Sequence, residues 1–139
     1  FRSEMLTLKQ LNLPVKIFVF NNEELSFIAM EMKASGYLDY ATDFVNPDFG
    51  KLAEAAGIKG VSIQNSSEID EKIMEALNHN GPVIVNVRVD KQELAMPPKI
   101  AYQQAKGFSK YLINAILDGR GTELKEMAKT NWMKYKSLY

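Results

Sequence analysis

The chain has 139 residues, and its 17 basic and 17 acidic side chains cancel, so no overall field favours a nucleic-acid partner. It contains no cysteine, which excludes a disulfide framework and a thiolate site. No apolar run approaches the roughly 20 residues of a membrane-spanning helix, and the length fits one modest domain.

The first predicted elements are a helix over residues 4–11 and a strand over residues 15–20. The strand is β-branched and aromatic, a composition typical of a strand covered on both faces in a parallel sheet. Asn21 and Asn22 break the strand and offer a helix N-cap. Apolar residues at helical spacing then predict a helix that Gly36 ends; they are Leu25, Phe27, Ile28 and Met32.

Further helices and strands follow in alternation. Asn46-Pro47-Asp48 predicts a helix start, Gly57 its end, and residues 60–64 a short strand. The next helix carries an apolar stripe that we expect to be buried, namely Ile69, Ile73, Met74 and Leu77. Residues 82–89 form the third strand, with valines at alternate positions on one face. This alternation predicts an α/β fold, a parallel sheet layered by helices.

The character of the sequence changes after Val89. Met96-Pro97-Pro98 excludes a regular helix and marks a boundary. Two helices are predicted beyond it, over residues 102–117 and from Thr122 to about Tyr135. We therefore predict a sheet domain over residues 1–95 and a helical C-terminal extension over residues 96–139.

The strand that ends in Asn21-Asn22, followed by Leu-Ser-Phe-Ile-Ala-Met-Glu, resembles the second half of the thiamine diphosphate motif, in which Gly-Asp-Gly precedes Asn-Asn. The resemblance is to pyruvate oxidases, especially the quinone-reducing type. It extends along the chain in an ordered series of segments, which are residues 13–16, 29–34, 93–95, 97–98, 104–109 and 128–132. Because Gly-Asp-Gly does not occur, we expect a C-terminal fragment of a thiamine diphosphate-binding fold, its pyrophosphate-binding domain incomplete at the N-terminus.

The resemblance implies a Mg²⁺ and diphosphate site at the turn after the first strand. The side chain of Asn22 and the backbone carbonyl of Glu24 would bind the metal, which prefers oxygen ligands. The backbone from Asn22 through Glu23, Glu24 and Leu25 to Ser26 would cradle the diphosphate. We expect both carboxylates to point away from the cofactor, because acids in a first turn are explained by the helix dipole. The alternative for Asn22 is a helix cap.

Phe27 and Glu31 lie four residues apart and therefore share a helix face. In the resembling enzymes this face borders the substrate pocket, so we predict that Phe27 is a pocket wall and Glu31 its polar neighbour. Ordinary core packing of Phe27 and a salt bridge from Glu31 to a lysine stay open. We expect no catalytic residue in this chain, because the resembling enzymes supply the catalytic glutamate from another domain.

By resemblance, the full-length enzyme would decarboxylate pyruvate oxidatively to acetate with thiamine diphosphate, Mg²⁺ and FAD, and would pass electrons to quinone. FAD would bind outside this chain, and the isolated chain would be inactive. We expect a homotetramer in the cytoplasm, peripherally associated with the inner face of the cell membrane. The alternatives are an oxygen- and phosphate-using pyruvate oxidase that forms acetyl phosphate, an acetolactate synthase-like carboligase, and a non-enzymatic ligand-binding α/β module.

The last predicted helix combines an apolar stripe with flanking lysines. Such a helix can lie in a membrane interface, where Trp and Tyr suit the headgroup level. The resemblance implies lipid contact through Leu124, Lys125, Lys129, Trp132 and Tyr135. Periodicity alone favours the alternative, an amphipathic helix packed on its own domain.

Overall fold

The computed structural model describes residues 2–91 and 102–137. The elements in these ranges are α1 (Arg2–Gln10), β1 (Lys16–Asn21), α2 (Ser26–Ala34), α3 (Phe49–Ala55), β2 (Lys59–Ile63), a 3₁₀ turn (Ser66–Glu68), α4 (Ile69–Asn78), β3 (Val83–Arg88), α5 (Tyr102–Leu117) and α6 (Gly121–Ser137). The chain divides into two compact units, a sheet unit (Phe1–Asn22 and Val45–Val89) and a helical unit (Glu23–Phe44 and Asp90–Tyr139).

The sheet unit is built on three parallel strands in the order β1-β3-β2. The central strand β3 pairs with Lys16–Asn21 on one side and with Lys59–Ile63 on the other. Its first three residues, Val83, Ile84 and Val85, are fully buried. A strand covered on both faces needs apolar side chains in both directions, which explains its continuous apolar run. The predicted α/β fold with a parallel sheet layered by helices is confirmed.

Helices cover both faces of this sheet. On one face, the alternate residues Val83, Val85 and Val87 join Val61, Ile63 and Phe18, and α4 packs on them through Ile73 and Ala76. On the other face, Ile84 joins Ile17 and Val19 under α1 and α3, which contribute Met5, Leu8, Leu52 and Ala53. The predicted alternation of β3 is therefore confirmed, because Ile84 lies in a different cluster from the valines.

The stripe predicted for α4 is partly wrong. Ile73 packs against the sheet, but Met74 is 54% and Leu77 52% exposed. Ala76, which the stripe left out, is fully buried. The small side chain of Ala76 lets α4 approach the sheet along the line of Ile73 and Ala76, and Met74 and Leu77 lie to one side of it.

The N-terminus of α3 lies very close to β2. A Cβ added at Gly60 would overlap the carbonyl oxygen of Gly50, so no side chain could occupy that position without displacing backbone. Two glycines are therefore needed where this helix begins. Asp48, which belongs to the predicted helix start, is the N-cap of α3 and accepts from the backbone N–H groups of Gly50 and Lys51.

The helical unit contains α2, α5 and α6. Its core is formed by Tyr111 and Ala115 of α5 and Met127 of α6, with Leu38, Phe108, Leu112 and Leu124 packed around them. Helices α2 and α5 approach at Gly107, where an added Cβ would overlap the carbonyl oxygen of Ala34. Within residues 2–91 and 102–137, no helix is long and apolar enough to cross a membrane.

A buried lysine also joins the elements of this unit. Lys33 of α2 is only 4% exposed. Its Nζ lies 3.8 Å from a carboxylate oxygen of Asp39 and 3.6 Å from one of Glu123, and 5.6 Å from the centre of the Tyr111 ring. Arg120 completes the group, 3.0 Å from Asp39. A charge as buried as that of Lys33 needs partners, and Asp39 and Glu123 supply them.

The predicted domain boundary between residues 95 and 96 lies outside the described residues, as do Met96, Pro97 and Pro98. By contacts, residues 23–44 group with the C-terminal helices rather than with the strands. The division of the chain at residue 95 stays a prediction.

Candidate cofactor-binding turn

The predicted site begins where β1 ends, at Asn21. Helix α2 does not start until Ser26, so four residues form the turn between them. Glu23 has a φ of +56°, a left-handed conformation that is uncommon outside glycine. A residue other than glycine adopts this conformation at a cost in free energy, so the surrounding structure must hold the turn in place.

The alternative prediction, that Asn22 caps the helix, is wrong. The N-cap position of α2 is occupied by Leu25, and the first turn of the helix contains no acid. Asn22 and Glu23 therefore precede the helix, and the dipole argument for acids in its first turn does not apply to Glu23 or Glu24. Asn22 is half-buried at the end of the sheet unit.

Glu24 is held by an antiparallel bridge to Asp43. The two hydrogen bonds of this bridge run from the Leu25 N–H to the Thr42 carbonyl and from the Phe44 N–H to the Glu23 carbonyl, each 2.8 Å. This is the pattern of a non-hydrogen-bonded pair, in which the amide and carbonyl of the central residue face away from the partner strand. The carbonyl of Glu24 therefore points away from the segment around Asp43, and this orientation is required of a carbonyl that binds a metal.

The carboxyl group of Glu24 has an unusual environment. Burial raises its pKa above the ordinary value, and the nearby carboxylates of Asp39 and Asp43 act in the same direction, while Lys33 and Lys91 oppose them. The ionised form is therefore disfavoured at this position. The predicted orientation of the Glu23 and Glu24 side chains away from a cofactor stays a prediction.

The start of α2 suits an anionic ligand. Leu25 carries no side-chain acceptor, so the N-cap side chain does not compete for the first N–H groups of the helix. The first helical hydrogen bond to Leu25 is donated by Ala29. The N–H groups of a helix start and the positive end of the helix dipole together attract phosphate. The residues of this turn therefore fit the diphosphate of the predicted cofactor.

The two predicted metal ligands, Asn22 and the carbonyl of Glu24, lie on either side of the unit boundary, which falls between Asn22 and Glu23. Their approach to one ion stays a prediction. Within residues 2–91 and 102–137, no three His, Cys, Asp or Glu side chains are grouped for a metal ion. The predicted set is of a different kind, an amide oxygen and a backbone carbonyl, which are the hard ligands that Mg²⁺ accepts.

Phe27 and Glu31 both lie on the exposed face of α2. The ring of Phe27 is 75% exposed in the part of the chain that the structure describes, so the alternative of core packing is wrong there. Glu31 is exposed and forms no ion pair with any residue in the described ranges. Their role at a substrate pocket stays a prediction.

Sequence reasoning missed a group of polar side chains at the carboxyl ends of the strands. We call it the strand-end network, formed by Asn21, Asn46, Asp48, Ser62 and Asn86. Asn86 is 3% and Asn21 7% exposed. The signal was available in part, because Asn86 interrupts the valine-rich β3 and Asn21 ends the apolar β1.

Within this network, Asp48 accepts hydrogen bonds from Ser62, Gly50, Lys51 and Asn86. Burial works to raise the pKa of Asp48, but the hydrogen bonds from Ser62, Lys51 and Gly50 outweigh it and the pKa lies below its ordinary value. The carboxylate is therefore ionised and serves as the fixed acceptor of the network.

Of the residues predicted to contact lipid, some pack on the core of the helical unit and others are exposed. Leu124 packs on the core of the helical unit, beside buried Met127. Lys125, Lys129 and Trp132 are exposed, with Trp132 at 62%. The side chain of Tyr135 lies outside the described residues. The apolar side of α6 thus packs on α5, as the alternative predicted, and lipid contact stays a prediction.

Comparison with known proteins places this turn in a family. The family described as "Thiamine pyrophosphate enzyme, C-terminal TPP binding domain" matches residues 2–87. The Bacillus subtilis protein named "Putative thiamine pyrophosphate-containing protein YdaP" is 34% identical over 127 residues, which are 91% of this chain and 22% of that protein. The mitochondrial acetolactate synthase catalytic subunit of Saccharomyces cerevisiae is 38% identical over 96 residues, 68% of this chain and 14% of that protein.

The mitochondrial acetolactate synthase of Schizosaccharomyces pombe is 35% identical over 95 residues, again 68% of this chain and 14% of the relative. The chain therefore spans between about a seventh and a fifth of the length of these relatives. The family match includes β1, Asn22 and the start of α2, where the geometry fits a diphosphate. This chain belongs to the thiamine pyrophosphate enzymes, as part of their C-terminal cofactor-binding domain.

Proposed function

We propose that the protein containing this chain decarboxylates pyruvate with thiamine diphosphate and Mg²⁺, and that this chain supplies the metal and diphosphate turn. The observation that carries the proposal is the turn itself. An outward-facing Glu24 carbonyl leads directly into a helix whose N-cap residue has no side-chain acceptor. In a family that binds thiamine diphosphate, such a turn is suited to the diphosphate and its metal.

Each residue of the turn then has a role. The Oδ1 atom of Asn22 and the carbonyl oxygen of Glu24 would hold Mg²⁺, which prefers oxygen ligands. The first N–H groups of α2 would donate to the diphosphate. When bound, thiamine diphosphate supplies an electron sink for the loss of carbon dioxide. The exposed ring of Phe27 forms one wall of the substrate pocket, and an apolar wall excludes water there.

The fate that we favour for the decarboxylated substrate is oxidation to acetate, with FAD bound outside this chain and quinone as electron acceptor. The segments that resemble quinone-reducing pyruvate oxidases include residues 104–109 and 128–132 of α5 and α6. The match to the Bacillus subtilis protein covers 91% of the chain. Because α5 lies well inside the chain, it falls within this match wherever the match begins. The acetolactate synthases match only 68%.

The second candidate is a carboligase that joins the decarboxylated substrate to another keto acid. It is favoured by the names of the yeast relatives, both acetolactate synthases, at 38% and 35% identity. Both candidates share the cofactor, the metal and the first decarboxylation step. They differ in the step after carbon dioxide has left. In the oxidase the electrons pass to FAD and quinone, whereas in the carboligase a second keto acid receives the carbon fragment.

A product assay on the full-length protein tests the proposal. The protein would be supplied with pyruvate, thiamine diphosphate, Mg²⁺ and FAD, with a soluble quinone, with phosphate and oxygen, or with neither acceptor. Acetate that forms only with the quinone supports the favoured reaction. Acetyl phosphate identifies the oxygen-dependent oxidase, and acetolactate without an acceptor identifies the carboligase. Absence of carbon dioxide release under all conditions would refute pyruvate as substrate.

The proposal also covers assembly and location, as a homotetramer in the cytoplasm that contacts the inner membrane face through α6. Trp132, Lys125 and Lys129 are exposed and could meet an anionic surface, whereas Leu124 is committed to packing. Each lysine near such a surface contributes about 1 kcal/mol. Co-sedimentation of the full-length protein with anionic vesicles, against a version that ends at Gly121, should show binding by the longer form alone. Equal sedimentation would refute it.

A further inference from the structure

The strand-end network lies on a single face of the sheet. Side chains alternate along a strand, so Asn21 follows Val19 and Asn86 follows Ile84 on the face covered by α1 and α3. Ser62 of β2 lies on the same face, because its neighbours Val61 and Ile63 are in the opposite cluster. Each of the three strands thus carries a polar side chain at or near its carboxyl end, on the face that α3 covers.

The amides of the network are linked in one direction. Asn46 Nδ2 donates to Asn21 Oδ1 at 2.9 Å, Asn21 Nδ2 donates to Asn86 Oδ1 at 3.3 Å, and Asn86 Nδ2 donates to Asp48 Oδ1 at 3.5 Å. Every step runs toward the carboxylate. If the amide of Asn21 were reversed, its NH₂ group would face the NH₂ group of Asn46 and its oxygen would face the oxygen of Asn86. The orientation of this amide is therefore fixed.

We infer that the strand-end network positions Asn22, the predicted metal ligand, by fixing the side chain of the residue before it. The backbone of Asn21 is also held, since its carbonyl accepts from the N–H of Val89 at 3.2 Å. Successive side chains of an extended segment point to opposite sides. Once Asn21 is anchored toward α3, Asn22 must turn to the other side of the chain. This inference rests on the proposed function of Asn22.

Exchanging amide and carboxylate within the network tests the inference with little change in shape. Asn86→Asp places a second carboxylate 3.5 Å from the Asp48 oxygen, where two negative charges repel. The double variant Asn86→Asp with Asp48→Asn restores one amide and one carboxylate. The Asp48 oxygen that faces position 86 also accepts from the backbone N–H groups of Gly50 and Lys51. The amide oxygen introduced at position 48 keeps these backbone bonds, so the double variant removes the repulsion between two charges without restoring a hydrogen bond to position 86.

The measurement is equilibrium dialysis of thiamine diphosphate against the cofactor-free full-length protein at several Mg²⁺ concentrations, with folding monitored by circular dichroism. Mutation of a residue that orients a metal ligand typically lowers metal affinity by about 10- to 100-fold. We expect Asn86→Asp to raise the half-saturating Mg²⁺ concentration by at least about tenfold, and the double variant to recover part of the loss. Asn78→Asp, the same change at an exposed position of α4, should leave it unchanged.

If Asn86→Asp does not fold, Asn46→Asp replaces it, because the half-buried Asn46 lies at the outer end of the network and its new carboxylate would face Asn21 Oδ1. Loss of thermal stability with unchanged Mg²⁺ and cofactor binding would show that the network is only structural. Lack of rescue by the double variant would also overturn the inference. If the wild-type protein retains no thiamine diphosphate, the proposed function fails first, and the two failures are thereby distinguished.

Discussion

The charge cluster around Lys33 gives the most direct test of how the helical unit is held together. Replacing Lys33 by methionine keeps most of the side-chain volume but removes a positive charge from a position that is 4% exposed. Asp39 and Glu123 then share a single cation, Arg120, which lies 3.0 Å from Asp39 and 3.9 Å from Glu123. Arg120 also pairs with the more exposed Asp118 at 3.0 Å, so the substitution leaves an excess of negative charge in the cluster.

Removing one partner from a buried ion pair typically costs about 3–5 kcal/mol. The loss here should be smaller, because Arg120 still neutralises Asp39 and because the carboxylate of Glu123 is 23% exposed. We therefore expect Lys33→Met to lower the free energy of unfolding by about 2–3 kcal/mol. Adding Glu123→Gln removes the unbalanced charge, so the double variant should be more stable than Lys33→Met by at least about 1 kcal/mol.

The assay is urea unfolding of the chain followed by circular dichroism. Lys129→Met, at an exposed position on α6, is the matched control and should change stability by less than about 0.5 kcal/mol. If the double variant is no more stable than Lys33→Met, the loss arises from packing and not from charge. If Lys33→Met is as stable as the wild type, the charge of Lys33 contributes nothing to the fold.

The turn and the helix contacts lead to three further predictions. Asn22→Ala in the full-length protein should abolish retention of thiamine diphosphate during gel filtration with the circular dichroism spectrum unchanged, and retained cofactor would contradict its role as a ligand. Gly107→Ala should cost about 1–3 kcal/mol by overpacking, because its Cβ would overlap a backbone oxygen of α2; Gly121→Ala, with nothing within 4 Å, should be neutral in the same urea unfolding. Because the pKa of Glu24 is raised from 4.5, its ionisation opposes folding as the pH rises above that value. Glu24→Gln should therefore raise the melting temperature at pH 7, and the gain should disappear as the pH falls below 4.5; an equal gain at both pH values would refute the electrostatic cause.

The elements themselves were largely predictable from local patterns. The helix predicted over residues 102–117 agrees with α5, and the strand predicted over residues 15–20 differs from β1 by one residue at each end. Hydrophobic periodicity carries this information, because it reflects which face of each element is buried. The Asn21-Asn22 motif likewise indicated the family, since it is read from consecutive residues.

The start of α2 was not predictable in the same way. Asn22 has the chemistry of an N-cap, but the helix begins four residues later with Leu25 at that position. The reason is the bridge between Glu24 and Asp43, which holds the turn extended through a contact between residues 19 positions apart. Local propensity could not show this, because the partner segment follows α2 in the sequence.

Sequence alone therefore determined the order of strands and helices, the α/β class and the presence of a cofactor motif. Only the tertiary structure decided which polar residues are buried. Lys33 would be expected on the surface from its type, and Asn21 meets Asn86 across 65 positions of sequence. Burial of a charge or an amide is stable only when partners from distant elements satisfy it. Those partners are brought together by the packing of the whole unit, and no local pattern records them.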